Sequence, residues 1–560
     1  MLPEKLWKIL NTDSGNSIVD VILNNRDLPP NHLEPFKLSD RLHSPYLLPD
    51  MEKAVTRIIR AIDNGEKIFI FGDYDVDGVT STAIMVYFFR KIGYPVEYAL
   101  PHREKDGYGL RPSAVDQAAE MGMQLIITVD NGITAHDAID HAKSLGIDVV
   151  VTDHHLQEGD LPDACAVINP NRTDSEYPFK TICGVAVAFK LLHALSEKLM
   201  QEDDFKQFLL NQLDLVAIGT IADVMPLRDE NYALVKFGLK VLSGSRKPGL
   251  MALKKISGVK EKVVTPISVG YFLAPRLNAA GRMEEATISV ELLITESKEE
   301  ALELSAHLDS LNRKRQTLQS SYLDYALNLM PADDAIPSEK VIFVENEEWL
   351  AGLIGLVSGR LKEKYLRPAF VFTRDENGNY VGSARSIDAF HVTNALTQFN
   401  HYFLNYGGHH KAAGLTISAE NYSQFKKEFI DYANEALSHE ELVPEVVIDS
   451  VIDIDQLNLN TARVIQEIGP FGETNAEPIL LLKSVYVRDM MLLSNGKHLK
   501  LSVQRGNQLF ECIWWGGGCY KDDIMFGDTI DVAFRVNINN WRGTERLQLT
   551  VEDLKKVEVL

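Results

Sequence analysis

Residues 68–82 read IFIFGDYDVDGVTST, and this stretch constrains the fold more than any other. The unbroken apolar run Ile68 to Phe71 predicts a buried parallel strand. Gly78 and a helix-compatible segment from Thr80 to Lys91 follow. Asp73, Asp75 and Asp77 then fall at the carboxyl end of a strand, where open α/β sheets place their ligands. On an extended segment, alternate spacing points all three the same way. Like charges on one side repel unless cations lie between them, and hard cations such as Mg²⁺ or Mn²⁺ take carboxylate oxygen. One aspartate there would read as a solvated turn. D-x-D-x-D-G after an apolar strand reads as a metal site.

Two later strand ends add to it. Leu125 to Val129 runs into Asp130-Asn131-Gly132, and Val149 to Val151 runs into Thr152-Asp153-His154-His155. Helical patterns separate these short β-branched runs, which is βαβ logic, so the strands are parallel and their carboxyl ends share one edge. Asp130, His154 and His155 are therefore expected on the same rim as the three aspartates. A histidine beside a carboxylate suits Mn²⁺ better than Mg²⁺ alone.

In this order DYDVDG, VDNG and TDHH resemble the first three motifs of the DHH phosphoesterase family. LVAIGTIADVMPL, with Asp223, resembles the fourth, and GGHHKAAG at 407–414 resembles the mark of the DHH-associated domain. PRLNAAGR at 275–282 and PFGETNAEP at 470–478 are similar to segments of one branch, the RecJ single-strand-specific exonucleases. Any one motif is weak; the combination, over nearly the whole chain, is specific.

At 560 residues the chain is too long for one core, and two to four domains are expected. It has no run of about 18 apolar residues and no apolar leader at its start, so no membrane span or export signal is read. Cys165, Cys183, Cys512 and Cys519 are scattered and lack a zinc-ligand spacing, which fits a reduced, cytoplasmic protein. A net charge of −22 is awkward for a nucleic-acid enzyme, although global charge says little about a local groove.

The expected architecture is α/β. Residues 1–64 form a leader and a helix, the leader packing onto the first domain by the resemblance. Residues 65–295 form a parallel-sheet DHH domain. A spacer helix and linker occupy 296–340, a second α/β DHH-associated domain 341–437, and a five-stranded OB-type β-barrel 446–560. Arg103 follows a strand end; by itself it reads equally as a surface ion pair, and the resemblance makes it a phosphate contact. Arg276, Asn278 and Arg282 offer donors around a small-residue turn. Ser383, Arg385, Gly408 and His409 make up the expected gripping face of the second domain. Trp515 and Trp541 read equally as base-stacking or core residues.

The resemblance implies a two-metal phosphodiesterase using Mn²⁺ or Mg²⁺. Asp73 and Asp75 would favour one ion and Asp77, His154 and Asp223 the other, with Asp130 bridging and His155 facing the scissile phosphate. It further implies 5′→3′ hydrolysis of single-stranded DNA to 5′-mononucleotides in repair and recombination. A single-strand-binding protein and a RecQ-type helicase are the implied partners of a monomer. The chain departs from the family pattern at Phe71 and Leu350, where relatives carry His, and at Ala384, where they carry Gly. A small-substrate phosphodiesterase and a non-enzymatic DNA-binding relative are the alternatives. The barrel-like tail argues against the first and the full ligand set against the second.

Overall fold

In a computed structural model the described residues are 5–12, 17–29, 31–103, 105–259, 263–330, 338–541 and 544–557. The chain divides into two compact units: residues 36–433 with 472–474, and residues 1–35 with 434–471 and 475–560.

The first unit is built on a parallel sheet. Its strands lie in the order Val96–Ala99, Ile68–Phe71, Leu125–Val129, Asp148–Thr152, Ala166–Ile168. All four residues of Ile68–Phe71 and all five of Leu125–Val129 are buried, which is why both read as continuous apolar runs. The chain leaves Ile68–Phe71 for one neighbour and then crosses back to the other. Its topological switch point therefore lies between the ends of Ile68–Phe71 and Leu125–Val129, where Asp73 and Asp130 emerge. Phe71 packs in the apolar layer under the sheet, so this departure from the family pattern supplies core rather than a ligand.

The helices Val76–Lys91, Gly184–Leu199 and Glu202–Ala222 pack together against the sheet's other face. Within that layer Lys190 and Glu230 form an ion pair of 2.5 Å with neither side chain exposed. The long helix spans Lys298–Asn328, close to the expected spacer. Beyond it a five-stranded mixed sheet runs in the order Phe403–Gly408, Ala412–Ile417, Tyr380–Arg385, Ala369–Arg374, Ile342–Glu345. Helices Ala351–Tyr365 and Ala419–Ala436 accompany it.

The second unit is a closed barrel. Strands Leu480–Leu493, His498–Arg505, Gln508–Trp514, Thr544–Lys556 and Thr529–Trp541 pair in turn, and Leu480–Leu493 pairs with Thr529–Trp541 to close the ring. The expected OB-type topology is present, with strands longer than the alternating runs suggested. Trp514 is buried and Trp515 is 58% exposed, edge-on to His498. Trp515 is therefore not a core residue; the Trp541 side chain lies outside the described residues.

The leader differs from expectation. Leu6–Ile9 pairs in parallel with Glu445–Ile448, and Trp7 Nε1 donates to Asp553 Oδ2 at 2.6 Å. Helix Ile18–Asn25 buries Ile18, Ile22 and Leu23 in the barrel's core. The chain's start thus belongs to the barrel unit and not to the first domain. A four-residue strand carries no mark of which edge will accept it; that is decided by the free edge on offer. Among the described residues no helix is long and apolar enough to cross a membrane.

Candidate metal centre

The helix after Ile68–Phe71 starts earlier than expected, at Val76. Asp75 is the cause: its Oδ1 accepts from the amides of Asp77 (2.8 Å) and Gly78 (3.2 Å), which makes it the N-cap. Only Asp73 therefore leaves an extended strand. Asp75 caps and Asp77 lies in the first helical turn, so the three carboxylates converge by capping geometry and not by β alternation. Asp77 in turn accepts from the amides of Gly184 (2.6 Å) and Val185 (2.8 Å), at the positive end of helix Gly184–Leu199.

The other strand ends meet these groups. Asp130 follows Val129 in a left-handed conformation (φ 64°), sparsely populated by non-glycine residues and typical of functional positions. His154 Nε2 lies 3.1 Å from Asp130 Oδ1 and 3.7 Å from both Asp77 Oδ2 and Asp223 Oδ2. Asp223 is delivered as the C-cap of helix Glu202–Ala222. Three sets of side chains bring one potential ligand atom each within 4.8 Å: Asp73 with Asp75 and Asp130, Asp77 with His154 and Asp223, and Asp130 with His154 and His155.

The electrostatics are those of a site short of positive charge. Burial, then repulsion by Asp75, pushes Asp77 up to about 7. Burial and neighbouring carboxylates raise Asp73, Asp130 and Asp223 well above the usual range. Burial and the adjacent His155 push His154 down to about 3, so its ring is neutral. Its single proton serves a hydrogen bond to the Ile182 backbone, and Nε2 turns a lone pair toward three carboxylates. Among the described residues Asp73 Oδ1, Asp130 Oδ1 and Asp223 Oδ2 are buried without a hydrogen-bond partner. Buried acceptors facing one another with no donor are costly unless a cation joins them. An oxygen-rich set with one neutral imidazole fits Mg²⁺ or Mn²⁺.

His155 behaves oppositely. Burial disfavours its charge, but Asp153 overrides this and carries it up to about 9. Asp153 Oδ1 lies 2.7 Å from His155 Nδ1 and accepts from the amides of His154 and His155, while Oδ2 accepts from Ile133. Tyr108 places its hydroxyl 2.9 Å from His155 Nδ1 and donates to the Asp130 carbonyl.

A second cluster adjoins the first. Arg103 stacks on Tyr74 at 3.9 Å and donates to the Gly281 carbonyl; Arg282 donates to the Gly352 carbonyl at 2.8 Å. Arg385 donates to Ser383 Oγ and the Ala384 carbonyl. Burial, then the guanidiniums of Arg103, Arg315 and Arg385, pushes Arg282 down to about 9, and burial with Arg103 lowers Arg385. Crowded, half-buried arginines repelling one another favour an anion between them. Helix Ala351–Tyr365 admits them because it is glycine on that side: a Cβ at Gly355 would lie 2.9 Å from Ser383 Oγ. His409 lies near enough to His154 to disfavour charge on it, and Gly408 has φ 150° with no room for a Cβ beside Ala412.

PRLNAAGR is a helix, Ala274–Met283, and not a turn. Pro275 follows directly on a π-helical turn, Val269–Leu273, that runs into this helix and removes the regular hydrogen bond its ring would block, and the small residues pack closely. Asn278 has a buried Oδ1 without a partner among the described residues. Arg276 lies about 120° around that helix from Arg282 and is not brought to the cluster. It pairs with Asp309 at 2.8 Å and donates to the Phe272 carbonyl. Of the other departures, Ala384 is buried on the far face of its strand and Leu350 precedes the helix Ala351–Tyr365.

The sequence reading did not single out Asp153, Tyr108, Arg315, Gly184 or Gly219 as site residues. The first lies inside TDHH and could have been found; the glycines leave no local trace. A Cβ at Gly184 would lie 2.4 Å from Asp130 Oδ1, and one at Gly219 2.9 Å from Asp77 Oδ1. Gly184→Ala is expected to leave the fold intact and weaken Mn²⁺ binding by about 10–100-fold, the range for disturbing the support of a ligand. Calorimetric Mn²⁺ titration beside circular dichroism checks both halves.

Comparison with known proteins gives the family. The DHH family N-terminal domain matches residues 67–220, the DHHA1 domain 338–435 and the RecJ OB domain 448–553. The chain is 36% identical over 513 residues to the single-stranded-DNA-specific exonuclease RecJ of Bacillus subtilis, covering 91% of this chain and 64% of that longer protein. It is 36% identical to RecJ of Salmonella typhimurium over 90% of both chains. The crystal structure of RecJ in complex with Mn²⁺ from Thermus thermophilus superimposes with a TM-score of 0.83 at 29% identity, covering 99% of this chain and 80% of that one. Its Mg²⁺ complex gives 0.78 at 28%, covering 99% and 79%. The chain belongs to the RecJ family of single-stranded-DNA-specific exonucleases.

Proposed function

We propose that this chain hydrolyses single-stranded DNA from the 5′ end, releases 5′-mononucleotides and acts in DNA repair and recombination. The observation that carries the reading is the adjacency of two opposite sites: a carboxylate–histidine cluster and a half-buried arginine cluster, close enough that Asp73 feels Arg103 and Arg282 feels Asp75. Carboxylates and imidazole suit divalent ions, and clustered guanidiniums suit a terminal phosphate.

In this reading Asp73, Asp75 and Asp130 would hold one divalent ion, and Asp77, His154 and Asp223 the other, with Asp130 near both sets. When bound, Mn²⁺ or Mg²⁺ supplies the charge that acidifies a water and offsets negative charge on the reacting phosphate. His155, kept protonated by Asp153, donates to that phosphate. Arg103, Arg282, Ser383 and Arg385 hold the 5′ phosphate, with Asn278, Gly408 and His409 beside them. An exonuclease needs such an end pocket, because metal ligands alone cannot tell an end from the middle of a strand. A RecQ-type helicase and a single-strand-binding protein would supply the strands in the cytoplasm, with the enzyme a monomer.

The test is degradation of 5′-labelled and 3′-labelled single strands and of blunt duplex with Mn²⁺, Mg²⁺ or EDTA. The reading expects mononucleotides from the 5′ end of single strands only, and none in EDTA. Arg282→Ala is expected to cut the preference for a 5′-phosphate over a 5′-hydroxyl by about tenfold or more. Cleavage of very short oligomers only, or from the 3′ end, sinks it.

The His155 role carries a pH consequence. A group whose pKa is raised is charged below it and neutral above, so turnover falls as pH climbs through the His155 pKa. Asp153→Asn removes the group that raises it, and the alkaline limb should move down by about 1–3 units. A pH profile of kcat/KM with an unmoved alkaline limb assigns that limb to another group.

A further inference from the structure

A cavity of about 710 Å³ opens in the first unit at the far end of helix Val76–Lys91 from the metal centre. Sixteen residues at 1.5 Å each separate the two ends of that helix by about 24 Å. The volume falls in the range of small-molecule sites, roughly 300–1,000 Å³. Nothing in the reading above uses it.

Its wall is basic in an acidic protein. Arg90, Lys91, Lys240, Arg246 and Lys247 face Asp214 and Glu296, although the chain as a whole has 79 acidic residues against 57 basic ones. Asp214 is already neutralised. It is 1% exposed, pairs with Lys247 at 2.5 Å and accepts from Ser245 Oγ at 2.9 Å. The second hydrogen bond of Lys247, to the Asn211 carbonyl at 2.6 Å, fixes that ammonium in the wall. Four cations remain against the single carboxylate of Glu296. Among the described residues no carboxylate lies within ion-pair distance of Arg90, Lys91, Lys240 or Arg246.

The cations are partly organised in advance. Arg90 is anchored by one nitrogen to the Ile294 carbonyl at 2.7 Å, which leaves the rest of its fork available. Lys240 rests against the Phe237 ring. Lys254 donates to the carbonyls of Leu242 and Ser243, covering the negative end of helix Asp229–Gly244 that would otherwise repel an anion here. The half-buried Val241 and the edge of Phe208, which is 7% exposed, add an apolar surface to the same wall.

We propose that this cavity binds a phosphate-bearing ligand of nucleotide size, with its phosphates among Arg90, Lys91, Lys240 and Arg246 and its base against Phe208 and Val241. A compact polyvalent anion is what four unpaired cations around one space select, and two of the four are arginines, whose forks match phosphate oxygens. The apolar surface distinguishes a nucleotide from bare polyphosphate. The site does not depend on the reaction proposed above.

The test is calorimetric titration of the 560-residue protein in EDTA with ATP and, separately, with inorganic pyrophosphate. One ATP site is expected. Lys240→Glu with Arg246→Glu should weaken it at least about tenfold, as expected for two charge-assisted contacts. Lys91→Glu, a single exposed substitution, guards against misfolding of the double variant and should weaken it too. Arg282→Ala, which disables the phosphate pocket beside the metal centre, should leave it unchanged. Tighter ATP than pyrophosphate identifies the nucleotide, and equal affinity identifies polyphosphate chemistry alone. Absence of binding, indifference to the charge reversals, or loss in Arg282→Ala overturns the proposal.

Discussion

Asp130→Ala is expected to lower turnover of 5′-labelled single strands by at least about 10³-fold and to weaken Mn²⁺ binding in the same protein. Among the described residues no other carboxylate shares two of the potential ligand sets. It shares one potential ligand set with Asp73 and Asp75 and another with His154 and His155. It is buried, its Oδ1 lacks a partner among the described residues, and its left-handed backbone holds that oxygen toward His154. Removing it also relieves repulsion. Asp77, Asp75, Asp73 and Asp223 all raise the Asp130 carboxyl, so each loses a like-charged neighbour in the variant. The protein without metal should therefore be at least as stable as the parent. A calorimetric Mn²⁺ titration and a thermal melt in EDTA separate the two effects. Retained turnover with Mn²⁺ would remove Asp130 from the centre, whereas a fall in metal-free stability would make it a structural residue.

The second large effect lies away from the site. Lys190→Met is expected to destabilise the first unit by about 3–5 kcal/mol, the range for stranding one partner of a buried ion pair. Lys190 and Glu230 are wholly buried in side-chain terms and 2.5 Å apart. Lys190 also donates to the His43 carbonyl at 2.7 Å, and Tyr177 donates its hydroxyl to Glu230 at 2.5 Å. Methionine fills the space but leaves the carboxylate without its cation. The melting transition of that unit should fall by roughly 5–10 °C. Adding Glu230→Gln removes the stranded charge and keeps an acceptor for Tyr177, so most of the loss should return. If the double variant melts no higher than Lys190→Met, packing around Lys190 and not charge is the cause.

The central strands of the first sheet were legible because parallel strands buried on both faces are written as continuous apolar runs, Ile68 to Phe71 and Leu125 to Val129, whereas the three-residue edge strand Ala166–Ile168 is too short to show a pattern. The rim they share followed from βαβ connection rules, so Asp73, Asp130 and His154 could be placed together from the chain alone. The alternating runs of the tail likewise announced a barrel. These features rest on local periodicity and on one chirality rule, which a linear chain displays.

What depended on contacts distant in sequence was not legible. Asp75 and Asp77 converge because one caps its own helix and the other accepts from the amides of Gly184 and Val185, more than 100 residues on. Arg276 and Arg282 share one short motif, yet Asp309 captures the first while Gly352 receives the second. The leader joins the barrel because the edge of Glu445–Ile448 is open to it. By itself the sequence determined which residue types reach the catalytic edge, since strand ends and their order are local properties. Only the tertiary structure decided which of those side chains face one another, because helix faces, glycine-sized approaches and free sheet edges exist once distant segments have packed.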